Sequence, residues 1–208
     1  MKIMAGVSFA ILAGWLVSLG GATGSQARSA HISVDAAACE RLPSLALSDA
    51  SVTSAEVVPA GQFKPASGPG AAFADLPAFC RVSLTMKPSS DSDIKSETWL
   101  PISGWNGKFE EVGNGGWNGD IQYGELAAGL RRGYATASTD TGHVGGSASF
   151  ALDHPEKVID FGYRAVHETA LQSKAVIAAL YGAPQRLSYF SGCSGGGRQA
   201  FAEAQRYP

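Results

Sequence analysis

The segment around Ser194 constrains the fold of this chain more strongly than any other part of the sequence. Residues 186–191 are short and partly apolar and predict a strand, and residues 198–206 predict a helix. The glycine-rich run GCSGG, residues 192–196, leads from one to the other. A strand that turns this tightly into a helix is typical of a sheet with helices packed on its faces. The segment therefore predicts an α/β fold.

Upstream segments continue the alternation of strands and helices. Apolar residues at helical spacing over 123–130 predict a helix that Gly133 ends, and residues 160–181 predict a longer one. The turn Asn106-Gly107 predicts a β-hairpin between the two strands beside it. Together with the strand before Ser194, the helices and strands indicate a sheet with parallel neighbours. The other predicted strands are residues 51–58, 78–84, 97–102, 108–112 and 134–139.

The first residues of the chain are typical of an export signal. Lys2 supplies a positive charge, residues 4–20 are uncharged and largely apolar, and the small-residue run SQA follows at 25–27. We expect residues 1–27 to be a signal peptide and residues 28–208 to form the mature domain. The alternative is a membrane anchor, for which the apolar run is borderline in length. Cleavage implies a secreted or periplasmic protein with no membrane partner in its mature form.

The composition argues against several classes of function. Hydrophobic residues make up 45% of the chain and charged residues 16%, which is enough to bury one domain-sized core. The formal net charge of -2 gives no reason to expect nucleic acid as a partner. No His or Cys spacing typical of a metal site is present, so we expect no metal ligands and no cofactor in this chain.

The chain has an odd number of cysteines, namely Cys39, Cys80 and Cys193. In an oxidising compartment, one of them has to stay free or pair with a partner outside this sequence. Pairing of Cys39 with Cys80 would tie the N-terminal arm to the predicted strand at residues 78–84. A loop of this size stabilises a fold by roughly 3–4 kcal/mol in the chain-entropy treatment of disulfides.

Ser194 stands where serine hydrolases place a nucleophile. The pattern G-x-S-x-G sets the serine on a strained strand-to-helix turn, where flanking glycines avoid Cβ clashes. Such enzymes stabilise an oxyanion with the backbone N–H of the residue after the nucleophile, here Gly195. A second N–H comes from an earlier glycine-rich loop. Gly115 and Gly116, in the run GNGG at residues 113–116, are the candidates for it.

Other interpretations of these glycines are open. Both clusters are compatible with flexible connections, one of which carries an incidental serine. Glycines that open a helix also bind phosphate, but the Lys followed by Ser or Thr of a phosphate-binding loop does not follow Gly197. Two glycine clusters in the required order favour the hydrolase interpretation over either cluster taken alone.

The histidines and upstream acids do not complete a catalytic triad. The triad order in this class of enzyme is serine, acid, histidine, so Asp140 and Asp153 are poor candidates for the acid. We expect the histidines to be structural, with His143, at the end of a predicted strand, as the candidate to line a pocket. Four histidines precede the serine: His31, His143, His154 and His167.

Longer motifs are similar to one enzyme family. YFSGCSGGGRQ at residues 189–199 and EAQRYP at residues 203–208 resemble the nucleophile segment of the tannase and feruloyl esterase family, which includes mono(2-hydroxyethyl) terephthalate hydrolase. The Cys-Ser pair followed by the Gly-Gly-Arg run is far more specific than G-x-S-x-G. The resemblance extends over most of the mature chain, through WNGKF, GNGG, TDTGH and DFGYRA at residues 105–109, 113–116, 139–143 and 160–165.

The resemblance implies a secreted α/β-hydrolase and assigns roles to several residues. It makes Ser194 the catalytic serine and makes Gly195 and one glycine of the GNGG run the oxyanion donors. It implies a disulfide between Cys193 and a cysteine beside the catalytic histidine. It also implies that Cys39 and Cys80 form a structural bridge.

The resemblance also implies that much of the enzyme lies outside this chain. In the family, a large lid domain follows the nucleophile half and often carries a structural calcium ion. This sequence stops at Pro208. We therefore expect the N-terminal half of the catalytic domain, without the lid, its calcium ligands, the C-terminal half, the triad acid or the histidine.

The expected activity is hydrolysis of small-molecule carboxylic esters of aromatic acids, such as feruloyl or galloyl esters, by the full-length parent. This chain alone is expected to be inactive. The alternative is a catalytically incomplete secreted fragment that binds ligand without turnover. An acyltransferase that uses the same triad is a third interpretation.

Overall fold

Residues 34–65 and 70–208 are described by the computed structural model of the chain. The expected signal peptide, residues 1–27, and His31 lie outside these ranges. Within the described ranges, no helix combines the length and the apolar character that crossing a membrane requires.

The strands of the described residues form one mixed sheet. They follow the order β1-β2-β3-β5-β4-β6 across it. The pairs β1/β2, β2/β3 and β3/β5 are antiparallel, whereas β4 is parallel to both β5 and β6. The bounds are β1 Ala50–Val58, β2 Phe79–Met86, β3 Ile94–Pro101, β4 Lys108–Val112, β5 Ala135–Thr139 and β6 Leu187–Ser191.

Helices cover both faces of the sheet. A π-helical turn, Asp160–Arg164, joins the third helix to the fourth, and short 3-10 turns occur at Leu42–Ser44, Gly70–Phe73 and Ala148–Ala151. The helices are α1 Ala36–Glu40, α2 Tyr123–Arg131, α3 Pro155–Ile159, α4 Ala165–Tyr181 and α5 Gly195–Arg206.

The core is divided between the two faces. Trp99 and Leu100 are neighbours on β3 and therefore point to opposite faces. Trp99 packs in the cluster that contains the buried stripe of α2, whereas Leu100 packs in the cluster that contains Val176 and Ile177 of α4. The α/β architecture predicted from the sequence is confirmed. From β4 onwards, the predicted alternation of parallel strands and helices is confirmed as well.

The predicted hairpin at Asn106-Gly107 is wrong. Strand β5 lies between β3 and β4, so the strands on either side of the turn are not paired. The turn itself is present, since Gly107 has φ 78° and Asn106 Oδ1 accepts a hydrogen bond from the Lys108 N–H at 3.0 Å. Asn106 is held instead by the chain that leads into β5, because its backbone N–H donates to Gly133 O at 3.0 Å. Long-range pairing therefore overrides the local turn signal.

The cysteine pair suggested by the sequence is present as a disulfide. Cys39 and Cys80 are bonded, both are fully buried, and their Cα atoms lie 5.8 Å apart. The bond ties α1 to β2. Among the described residues, Cys193 is the unpaired cysteine, and it is exposed.

Replacing both Cys39 and Cys80 by serine is expected to lower the free energy of unfolding by about 4 kcal/mol, because the bond closes a long loop in the unfolded chain. The two half-cystines are 41 residues apart in the sequence. Guanidinium unfolding of the purified 208-residue chain, in which Cys193 is unpaired, measures the change. The control is Cys193→Ser at an exposed position, expected to stay within about 0.5 kcal/mol. An unchanged midpoint in the double variant would contradict the prediction.

Candidate active site

The segment around Ser194 forms a strand-turn-helix, as the sequence predicts. Strand β6 ends at Ser191 and helix α5 begins at Gly195. Ser194 lies between them with φ 54° and ψ -113°, and it is exposed. A residue with a Cβ rarely adopts such a backbone, because it costs on the order of 1–3 kcal/mol and persists only where the surrounding structure imposes it. The turn therefore holds this serine in a strained and accessible position.

Two glycines beside Ser194 allow the turn to be this tight. A Cβ added to Gly192 would lie 2.7 Å from the backbone of Gly196. One added to Gly196 would lie 3.3 Å from Gly113 Cα, at the end of β4. Side chains at these positions would separate β6 and α5 from the loop that follows β4. The G-x-S-x-G pattern thus has a steric reason in this structure.

The second glycine-rich loop, residues 113–116, lies directly beside the turn. The Gly113 N–H donates to Ser191 O at 2.9 Å. A Cβ added to Gly195 would lie only 3.0 Å from the backbone nitrogen of Gly116, which has φ 55°. Among the described residues, the N–H groups of Gly115, Gly116 and Gly195 donate no hydrogen bond. The structure therefore brings together the glycines that the sequence selects as donors and leaves their N–H groups available.

Asn114 and Gln199 link this loop to helix α5, and sequence analysis assigns a role to neither. Gln199 is 1% exposed, and its Oε1 accepts from the Asn114 backbone N–H at 2.9 Å. Its Nε2 donates to Asn114 Oδ1 at 3.1 Å. The one sequence feature that could have pointed to a role for them is that both residues lie inside the motifs that carry the family resemblance.

An open cleft of about 370 Å³ borders the turn. The glycine-rich loop and the end of β6 form one side of it, and the start of α2 contributes Gln122 and Glu125. The exposed Cys193 thiol belongs to the same lining. The remaining lining residues are Gly113, Asn114, Gly115, Ser191 and Gly192.

The described histidines hold structural positions away from Ser194. His143 is buried, and its Nε2 donates to Trp117 O at 2.7 Å while its ring stacks on Phe150. His143 also lines a cleft, but a different one from the cleft beside the serine. In the described part of the chain, no histidine is hydrogen-bonded to Ser194; His154 contacts Asp91 and His167 contacts Glu203.

The two aspartates that the sequence marks as poor triad acids do not contact Ser194 either. Asp140 is buried, and its Oδ1 accepts from the N–H groups of Lys95 at 2.9 Å and Gly142 at 2.8 Å. Burial raises its pKa to about 6, and these hydrogen bonds oppose the rise. Asp153 is exposed. Neither of these two aspartates is therefore hydrogen-bonded to the serine as a triad partner would be.

No group of three metal-binding side chains of His, Cys, Asp or Glu occurs among residues 34–65 and 70–208.

Glu111 on β4 is a fully buried carboxyl group behind the turn. It is 2% exposed, and its Oε1 has no hydrogen-bond partner among the described residues. Burial raises the pKa of Glu111 well above 4.5, repulsion from Glu203 of α5 adds to the rise, and Lys174 of α4 opposes it. The folded protein therefore favours the protonated, neutral form of this side chain.

Glu111→Gln is expected to stabilise the protein at neutral pH and to have little effect near pH 4. The unfolded chain releases the proton of Glu111 near pH 4.5 and the folded protein holds it to higher pH. The free energy of unfolding therefore falls as pH rises above about 4.5, by at most about 1.4 kcal/mol per pH unit. Glutamine removes this dependence. Urea unfolding between pH 4 and 8 measures it.

The exposed Glu40→Gln is the matched control for this substitution, because the same group stays in water in both states. A Glu111→Gln variant whose stability relative to the original protein does not change with pH would contradict the prediction.

Comparison with known proteins identifies the family. The family model for tannase and feruloyl esterase matches residues 80–208. The chain is 46% identical over 174 residues to an uncharacterized esterase of Xanthomonas campestris pv. campestris, covering 83% of this chain and 30% of that protein. It is 40% identical over 130 residues to a probable feruloyl esterase B-1 of Neosartorya fischeri, covering 62% of this chain and 25% of that protein.

A solved structure has the same fold. The crystal structure of feruloyl esterase B from Aspergillus oryzae superposes with a TM-score of 0.77 at 36% sequence identity, covering 83% of this chain and 35% of that one. The chain thus spans about a third or less of the length of the relatives it matches. The family model covers more than half of the chain, and the matching folds are α/β-hydrolases. The chain therefore belongs to the tannase and feruloyl esterase family, and its sheet and helices are part of an α/β-hydrolase domain.

Proposed function

We propose that the protein to which this chain belongs is a serine carboxylic-ester hydrolase with Ser194 as its nucleophile. The observation that carries the proposal is the strained, exposed serine between β6 and α5, beside two facing glycine backbones. If this position served only as a turn, glycine would be the favoured residue, because glycine adopts φ 54° without steric cost. Serine at that position costs stability, and nucleophilic catalysis is a reason to retain it.

The described residues supply the attacking group and the oxyanion donors. Ser194 Oγ attacks the ester carbonyl carbon, and the carbonyl oxygen becomes an oxyanion that accepts from the N–H of Gly195 and from Gly116 or Gly115. Collapse of this intermediate breaks the bond to the alcohol oxygen and leaves the acyl group on Ser194, and the base passes the proton it took from the serine to the departing alcohol. Water then attacks the acyl-enzyme, which releases the acid and restores the serine.

The base that takes the serine proton is proposed to lie in the part of the protein after residue 208. No described histidine contacts Ser194, and the relatives extend well beyond the matched region. We assign the histidine and its acid to that part, together with a cysteine that pairs with the exposed Cys193. The lid and its calcium ion, proposed from the family resemblance, belong there too.

Esters of aromatic acids, such as feruloyl or galloyl esters, are the proposed substrates. The support is that relatives similar to this chain are named feruloyl esterases. Export to the periplasm or the medium is proposed from the N-terminal sequence pattern.

Assays of the full-length protein test the proposal. Hydrolysis of p-nitrophenyl acetate, methyl ferulate and methyl gallate is measured by product release, and Ser194 is labelled with a fluorophosphonate probe and located by mass spectrometry. Hydrolysis of an aromatic ester together with labelling of Ser194 is the expected result. Turnover with labelling at another residue would refute the assignment.

The 208-residue chain, assayed alone, is expected to bind ester without appreciable turnover, because the serine has no base among the described residues. Oxyanion binding by itself leaves only weak catalysis. Adding an alcohol acceptor to the full-length enzyme separates hydrolysis from acyl transfer, since transfer would give a new ester in place of the free acid.

A further inference from the structure

We propose that Gln199 is a positioning residue that fixes the spacing between the two oxyanion donors by clamping Asn114. This inference rests on the proposed function, since it assigns a purpose to a contact beside the proposed oxyanion site. The side chain of Gln199 donates to and accepts from Asn114, and Gln199 is not among the residues that line the cleft beside the serine. Its effect on catalysis is exerted through the loop of residues 113–116.

The clamp is a closed pair of hydrogen bonds inside the protein. Gln199 Oε1 accepts from the Asn114 backbone N–H at 2.9 Å, and Gln199 Nε2 donates to Asn114 Oδ1 at 3.1 Å. Gln199 is 1% exposed and Asn114 is 2% exposed, so water does not compete for these bonds. The amide is matched to this task because it accepts and donates from one planar group.

Asn114 is also fixed to two other segments. Its Nδ2 donates to Thr139 O at the end of β5 and to Asp120 O in the connection to α2, both at 2.9 Å. The main chain and the side chain of Asn114 are therefore held by α5, by β5 and by the chain that follows the loop. A loop residue with this many buried bonds has little freedom to shift.

The positions of these residues connect the clamp to both donors. Gln199 and Gly195 lie one turn apart on helix α5, and Asn114 lies two residues before Gly116 in the loop. The clamp therefore joins the element that carries one donor to the element that carries the other. Catalytic N–H groups have to lie about 2.7–3.1 Å from the oxyanion, and a misplacement of about 1 Å costs on the order of 100-fold in rate.

Gln199→Met in the full-length protein tests the inference, because methionine has a similar shape and cannot form either bond. We expect kcat per labelled active site to fall about 10- to 100-fold, with KM changed less than about threefold, since an oxyanion forms after the substrate binds. Fluorophosphonate titration supplies the active-site concentration. A kcat per active site equal to that of the original protein would overturn the inference, whatever the effect on the melting temperature.

Gln172→Met is the matched control. Gln172 is also a buried glutamine, but it lies on α4 and its Nε2 donates to Ser48 O at 3.2 Å, away from the loop. Its replacement is expected to leave kcat per active site unchanged. An equal loss of kcat in this control would show that loss of any buried amide has the same effect, and the positioning role would be refuted.

Gln199→Glu is a second variant that tests the inference even if Gln199→Met does not fold. A protonated glutamic acid accepts and donates as the amide does, whereas the carboxylate repels Asn114 Oδ1. We expect the ratio of kcat for this variant to kcat for the original protein to fall as pH rises. A ratio that does not depend on pH would overturn the inference. Absence of ester hydrolysis in the original protein would instead refute the proposed function.

Discussion

Replacing Ser194 by alanine in the full-length protein is expected to lower kcat for ester hydrolysis by a factor on the order of 10⁶. The alanine has no atom that can form the acyl-enzyme, so only the oxyanion donors and substrate binding remain. The free energy of unfolding should stay within about 0.5 kcal/mol, because alanine has the same Cβ at the same strained backbone position. Initial rates with methyl ferulate and urea unfolding measure the two quantities.

Ser194→Gly provides a second measurement on the same residue. It should be as inactive as the alanine variant but more stable than the original protein by about 1 kcal/mol, because glycine adopts φ 54° without a steric penalty. The lower entropy of a non-glycine unfolded chain offsets part of this gain. Alanine and glycine variants of equal stability would contradict the claim that the turn strains the serine. Alanine and glycine variants with full activity would refute its role as nucleophile.

The elements that depend on local pattern were the ones that the sequence predicted well. Residues close together in the chain specify helix α2, which precedes Gly133, strand β5 after it, and the turn around Ser194. The structure contains all three at the predicted positions. The Asn106-Gly107 turn also forms as a turn. The hairpin predicted from this turn was wrong, because β5 pairs between β3 and β4 and that pairing depends on residues far apart in the chain.

In the candidate site too, the residues that belong to short motifs were predicted and those that depend on distant contacts were missed. Ser194 and the two glycine clusters were selected because each is a short motif, and the structure brings these motifs together. The clamp between Asn114 and Gln199 joins residues that are 85 positions apart, and no spacing rule relates them. The buried Glu111 was missed for a similar reason, since a glutamate in a short strand gives no sign of which face is covered.

Close packing between the two glycine clusters leads to an equally strong expectation for Gly113→Ala. A Cβ at this position would lie 2.6 Å from Gly196 Cα and 2.7 Å from Gln199 Oε1. Neither neighbour can move without shifting helix α5 or breaking the clamp. We expect the free energy of unfolding to fall by about 1–3 kcal/mol, as overpacking typically causes. We also expect kcat to fall on the order of 100-fold, because the loop and its donor are displaced from Gly195.

The matched control for Gly113→Ala is Gly197→Ala on helix α5, the helix against which the loop of Gly113 packs. A Cβ at Gly197 would approach only Gly192 O, at 3.9 Å, which is ordinary contact. Alanine inside a helix is favoured over glycine by roughly 0.5–1 kcal/mol, so this variant should be slightly more stable and fully active. Guanidinium unfolding and ester hydrolysis by the full-length protein measure both variants. If Gly113→Ala matched Gly197→Ala in stability and rate, the contact between the loop and α5 would not position the donors, and the steric basis of the proposed oxyanion site would be lost.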